Sequence, residues 1–204
     1  MFEEWDLWRT ARLAVGVVVL VAAAYYLVVA FDNITNPHSN WVFVRGVLSL
    51  DGVPANSGFG WRAIDSTFLQ AIGYVLIIAG ETVAGLELAW GGLRAVRATA
   101  APARWAKAQR VSLLGCLCGL LVFWFGFIVV GGNWWVMYLN AKWNGLEPAF
   151  QNATLTALTA GAILAVAAAD RGDEAADVAG SVPELAGASR RLTPDASLNA
   201  GKGS

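Results

Sequence analysis

Apolar residues gather into four blocks along the chain, at about 13–31, 67–93, 111–130 and 153–169, and polar residues, glycine and proline return between them. A helix needs about 20 predominantly apolar residues to cross a hydrocarbon core about 30 Å thick, because each residue advances it by about 1.5 Å. The first and third blocks carry no charge, the second holds Glu81 and Glu87, and the fourth is a shorter alanine-rich run that stops at Asp170-Arg171. The pattern therefore predicts four transmembrane helices, with Asp65 as the N-cap of the second. The first block is not expected to be a signal peptide, since Glu3, Glu4 and Asp6 spoil a basic leader and no clean small-x-small cleavage site precedes the polar loop.

The connections have a pattern of their own. Between the first two spans, residues 32–65 make a longer loop than a tight turn requires, which implies local structure. Inside it the run 41–50 is apolar but much too short to cross, so it reads as a helix or strand lying on the outer surface. Residues 131–152 are aromatic and amide-rich, with Asn133, Asn140, Asn144, Gln151 and Asn152, and the two segments together are expected to form a small extracytoplasmic cap. The last part of the chain has no aromatic residue, is rich in Ala, Gly and Asp, and is interrupted by Pro183 and Pro194. The expected architecture is an all-α membrane protein with a four-span bundle over residues 1–170 and a disordered cytoplasmic tail over 171–204.

Composition agrees with this pattern. Apolar residues make up 57% of the chain and charged ones only 14%, against about a quarter charged in soluble domains. Mean hydropathy is +0.53, which nearly excludes a soluble enzyme. A net charge of -1 offers no basic excess to recruit nucleic acid. The charge is unevenly placed. With an even number of spans, Arg9, Arg12, Arg94, Arg97, Arg104, Lys107, Arg110, Arg171, Arg190, Arg191 and Lys202 fall on one side and only Arg45, Arg62 and Lys142 on the other. Positive loops resist translocation, so both termini are expected in the cytoplasm. The 94–110 loop alone carries five basic residues and no acid, read first as a topology signal and second as a docking patch for lipid headgroups or a partner. Arginine-rich and alanine-rich usage suggests a bacterial plasma membrane. Trp5, Trp8, Trp90 and Trp105 fall at the inner boundary, Trp41, Trp61, Trp134, Trp135 and Trp143 at the outer one, and Trp124 inside a span. Most are expected to be interfacial anchors.

Few residues can carry chemistry. Glu81 lies near the middle of the second span, where an ionised carboxylate is costly and functional by default. Successive helical residues turn by about 100°, so Gln70, Tyr74 and Glu81 share a stripe that cannot face lipid. Glu81 is expected to be a hydrogen-bonded acid within the bundle, an acid meeting a donor on another subunit, or a proton or ion relay. Glu87 is expected to reach water or the arginines at 94 and 97. Gly115 and Gly119 form a GxxxG, and Ala153, Ala157, Gly161, Ala165 and Ala169 recur at every fourth position, a ladder that should pack against a helix of this bundle or of a partner. His38 stands alone, so haem or metal ligation lacks donors, and no metal or other cofactor is expected. Cys116 and Cys118 are two apart in a helix, point to nearly opposite faces and should remain thiols. The absence of GxxxxGK[ST] argues against intrinsic nucleotide binding.

With the spans placed, several runs can be considered together: Asp32-Asn33, Ser39-Asn40, Phe43-Val44 and Val47-Leu48-Ser49-Leu50-Asp51; Ile77-Ile78 before Glu81; Gly131-Gly132-Asn133-Trp134; and Trp143-Asn144-Gly145 with Ala149-Phe150. Over about residues 5–170 the chain resembles a bacterial family of predicted small four-span integral membrane proteins of unknown function. It departs from that pattern at Asn133, where an acid is common, and at the histidine-poor start of the second span, which argues against a catalytic polar cluster there. The resemblance implies a topology and no activity.

The function expected from these features is a non-catalytic accessory or stabilising subunit, not an enzyme, bound to other integral membrane subunits and the lipid bilayer. A transporter is the expected machine, such as an ABC-type lipid importer of the mammalian-cell-entry kind, with a respiratory enzyme as an alternative. A small proton- or ion-coupled transporter or channel using Glu81 is the other main expectation. Last comes a membrane enzyme binding a lipid through Asp32, Asp51 and Asp65.

Overall fold

The computed structural model describes the backbone of residues 7–191 and the side chains of residues 7–172. All regular structure among the described residues is helical: α1 (Leu7–Thr35), α2 (Pro37–Leu48), α3 (Thr67–Arg97), α4 (Pro102–Leu120), which continues as a π-helix over Leu121–Trp134, and α5 (Leu146–Arg191). Four helices, Leu7–Thr35, Thr67–Arg97, Pro102–Trp134 and Leu146–Gly172, are long and apolar enough to cross a membrane. Each extends beyond the apolar block that predicts it, because helical geometry continues past the point where charged residues begin.

The breaks have local causes. Asn36 separates α1 from α2 with φ −127° and ψ 62°, since the ring of Pro37 disfavours helical geometry in the residue before it and then suits the first position of the next helix. At the end of α2, Asp51 N donates to Gly46 O at 2.9 Å and Leu50 N to Val47 O at 3.1 Å, the paired bonds of a Schellman motif. Its left-handed position is Leu50 at φ 57°, where glycine is usual; burial of the leucine side chain holds it there. The run at 41–50 is thus helix, not strand. Asp65 is not the cap of α3: Ser66 holds that position in extended geometry without a side-chain bond, and the Gln70 side chain donates back to Ile64 O at 2.7 Å.

Glycines set the helix spacing. A Cβ at Gly85 would meet Leu27, and one at Gly92 would meet Leu20, so α3 lies close on α1. On its other side, Gly91 faces Ser112 and Ala108, and Gly115 faces Leu88 and Ala84 of α3. Without a hydrophobic force between helices in lipid, such close approach supplies the packing energy. The GxxxG is therefore used inside the bundle. The ladder on α5 behaves differently: Ala153 is buried, Ala157 half-buried, and Gly161 and Ala165 exposed, with nothing within 4 Å of a Cβ placed at Gly161. A four-residue step turns a helix by about 400°, so the ladder drifts by about 40° per step and winds off one face. The buried stripe of α5 is instead Ala149, Ala153, Thr156, Thr159 and Ile163.

Trp105 also departs from expectation. It is fully buried, and its Nε1 donates to Arg12 O at 3.3 Å, pinning α4 to α1 instead of anchoring at an interface. Trp90 and Trp124 remain exposed.

The chain divides into two compact units, Met1–Val166 and Ala167–Ser204. Ala169 and the expected tail fall in the second. Its backbone is helical as far as Arg191, and residues 192–204 lie outside the described residues.

Candidate functional site

The two connecting segments at one end of the bundle are tied together by side chains. The Asp51 carboxylate accepts from Trp143 Nε1 and Lys142 Nζ, each at 3.0 Å. Asn140 Nδ2 donates to Asp51 O at 2.9 Å, while Asn140 Oδ1 accepts from the backbone of Lys142 at 3.0 Å and of Trp143 at 2.8 Å. Gly46 leaves the space that the Trp143 indole fills. A second tie is built on Arg62, which donates to Trp134 O at 3.1 Å and lies against the rings of Phe59, Trp61 and Trp134 at 4.7, 5.0 and 4.8 Å. Trp135 Nε1 returns a bond to Arg62 O at 3.1 Å. The expected cap is present, and several of its tryptophans serve as its fasteners.

The Trp143 indole N–H, and then the Lys142 ammonium, hold the Asp51 carboxyl below the usual carboxylate range. A carboxyl with a depressed folded-state pKa contributes stability above its unfolded value, about 3.9, and loses that contribution as pH falls through the lower folded value. Acidification below about pH 4 is therefore expected to loosen the cap. Amide exchange over residues 137–145 reads this out, and Asp51→Asn should remove the pH dependence.

Beneath the cap lies a cavity of about 570 Å³, reaching from exposed Asp32 and Asn144 and half-buried Asn40 down to buried Glu81. Glu81 is only 2% exposed, and its Oε2 accepts from Asn33 Nδ2 at 2.7 Å. Asn33 belongs to the last turn of α1, where helix carbonyls lack intrahelical donors; its own carbonyl accepts from Tyr74 at 2.7 Å. Tyr25 lines the wall with Phe43, Phe123 and Phe127. The π-helical stretch supplies the last two rings, whose centroids are 5.6 Å apart. π-helical segments are rare and are found disproportionately at functional sites. Right after it, Val136 takes φ 45° while 1% exposed, a left-handed conformation that a β-branched residue holds only under constraint.

Of the expected stripe, Tyr74 and Glu81 line this cavity, whereas Gln70 is spent on the turn before α3. Asn33, the partner of Glu81, was not singled out by the sequence. Glu87 does not reach the arginines; Cys118 Sγ lies 3.7 Å from its Oε2 in hydrogen-bonding geometry. Asp32, Asp51 and Asp65 do not converge, since only Asp32 lines the cavity and Asp51 is held in the cap. Both cysteines are thiols. No group of three or more His, Cys, Asp or Glu among the described residues could hold a metal.

Buried polar groups continue away from the cavity. The Tyr26 and Thr156 hydroxyls are 2.7 Å apart, linking α1 to α5. Gly119 abuts the Tyr26 hydroxyl, and two turns below it on α4 come Ser112 and Gln109, both buried, with no protein partner for the Ser112 hydroxyl or either end of the Gln109 amide.

No curated protein and no solved structure matches the chain. The family model described as predicted small integral membrane protein (DUF2165) matches residues 11–167. With four membrane-length helices packed under a cap, the chain belongs to that family and is a multi-pass integral membrane protein.

Proposed function

We propose that the protein is a small transporter of the bacterial plasma membrane that binds an organic cation in the cavity under its cap, with Glu81 as the counter-charge. The carrying observation is the cavity's lining among the described residues: two carboxylates, Asp32 and Glu81, five aromatic rings and no Lys, Arg or His. Aromatic faces attract cations, most strongly where water is excluded, and a volume of about 570 Å³ suits a small molecule. Glu81 accepts its hydrogen bond from a neutral amide, and no cation among the described residues lines its site, so a bound cation supplies the missing charge. In this reading the termini are cytoplasmic and the cap lies outside.

Benzyltrimethylammonium and its uncharged isostere neopentylbenzene test the binding step in lipid nanodiscs. Saturable binding of the cation, at least about tenfold tighter than the isostere, is expected. Equal binding of the two sinks the cation assignment.

The buried Ser112 and Gln109 favour passage over static binding. An unpartnered buried polar group costs about 1–3 kcal/mol, so its presence calls for an explanation such as a strained or catalytic role, a water or an ion, and we read these two as polar steps for the solute. Ser112→Ala with Gln109→Met is expected to raise thermal stability while slowing uptake of the probe. A variant that is more stable and equally fast contradicts the route.

A second reading, the accessory subunit of a larger complex, is supported by the open face of α5 at Gly161 and Ala165. Mild-detergent purification should then recover stoichiometric partners that Gly161→Leu releases. Recovery of the chain alone excludes this reading.

A further inference from the structure

At the end of the bundle opposite the cap, the last turns of α3 and the first of α4 enclose a second cavity of about 400 Å³, lined by Arg94, Arg97, Arg104 and Lys107 with Ala98 and Ala108. Among the described residues none of the four cations is paired with a carboxylate and no acid lines the space. All four are exposed, so water screens their mutual repulsion in part, and an anion seated between them relieves the rest. Arg94 lies over an aromatic ring, 5.2 Å from the Trp90 centroid.

We propose that this cavity is a binding site for the phosphate headgroup of an acidic phospholipid. A phosphate matches the chemistry, since arginine forks pair with its oxygens and lysine adds a point charge. A free phosphate would satisfy the same groups; the helix leading to the site favours the lipid. On α3 the residues just before Arg94 are exposed and apolar, with Leu86 57%, Trp90 58% and Leu93 43% exposed. They form a track along which acyl chains lie while the headgroup enters the cavity. Trp90 then sits at the headgroup level that amphipathic rings prefer. Basic clusters next to a transmembrane helix attract anionic lipid by about 1 kcal/mol per residue; here they form a concave site, more than a topology signal requires. The site is independent of the cavity under the cap.

The test uses the full chain in detergent with three probes: phosphatidylglycerol, phosphatidylcholine of the same chains, and inorganic pyrophosphate. Wild type should bind phosphatidylglycerol at least about tenfold more tightly than phosphatidylcholine, and Arg104→Gln with Lys107→Gln should erase most of the difference without altering the helical circular dichroism. Should that variant fail to fold, photo-crosslinking of a phosphatidylglycerol probe to wild type decides, with adducts expected within 86–107. Equal binding of the two lipids, or adducts spread over all helices, overturns the proposal. Pyrophosphate binding as tightly as phosphatidylglycerol overturns the lipid assignment in favour of a free phosphate.

Discussion

Replacing Glu81 by glutamine is expected to weaken binding of benzyltrimethylammonium by about 2 kcal/mol or more, roughly thirtyfold in Kd, because a buried charge pair loses one member. The substitution keeps shape and fold. Glutamine is nearly isosteric, and its amide oxygen can still accept the Asn33 hydrogen bond that now measures 2.7 Å. A loss of affinity therefore reports the missing charge and not a rearranged wall. Asn33→Ala gives the complementary outcome: it leaves the buried carboxylate without the Asn33 donor, so stability should fall by about 1–3 kcal/mol while the charge that attracts the cation remains. Isothermal titration of both variants against thermal unfolding separates the effects. If Glu81→Gln binds like wild type, Glu81 is a structural acid and nothing more.

The largest stability effect is expected at the α4 glycines. A Cβ at Gly115 would stand 2.8 Å from Leu88 Cγ and 3.0 Å from both Ala84 O and Leu88 N. Two of these atoms are α3 backbone, which cannot step aside without moving the helix. A Cβ at Gly119 would land on the Tyr26 hydroxyl, which is bonded to Thr156 of α5. Overpacking a tight interior costs about 1–3 kcal/mol, and Gly115→Val should reach the upper end because the obstruction is main chain. Gly161→Ala is the control: its surroundings are open, and a change there should stay within about 0.5 kcal/mol. Thermal unfolding in detergent, followed by size-exclusion chromatography, compares the two variants. Equal tolerance at 115 and 161 contradicts the packing described.

The spans and the cap were readable because both depend on local pattern. Uninterrupted apolar length identifies a crossing helix, and the apolar run at 41–50 is too short to be one, so it had to lie elsewhere. The site was only partly readable, since it depends on how helices are offset. Glu81 lies at the middle of α3, yet its partner Asn33 lies in the last turn of α1, and counting inward from the helix ends does not bring the two level. Helical phase placed Gln70, Tyr74 and Glu81 on one stripe, but phase does not say that Gln70, near the helix start, turns back to the Ile64 carbonyl. The α5 ladder meets the bundle only at its start for a related reason, because a strict four-residue repeat winds around a helix with 3.6 residues per turn. The change to π-helical winding at Leu121 has no compositional mark, and the two phenylalanines it brings to the cavity read beforehand as ordinary span residues.

Uptake of radiolabelled benzyltrimethylammonium into proteoliposomes tests the central claim most directly. Wild type should accumulate the probe with time and saturate, whereas Glu81→Gln liposomes should match protein-free ones. No uptake by wild type above protein-free liposomes, or uptake undiminished by Glu81→Gln, contradicts it.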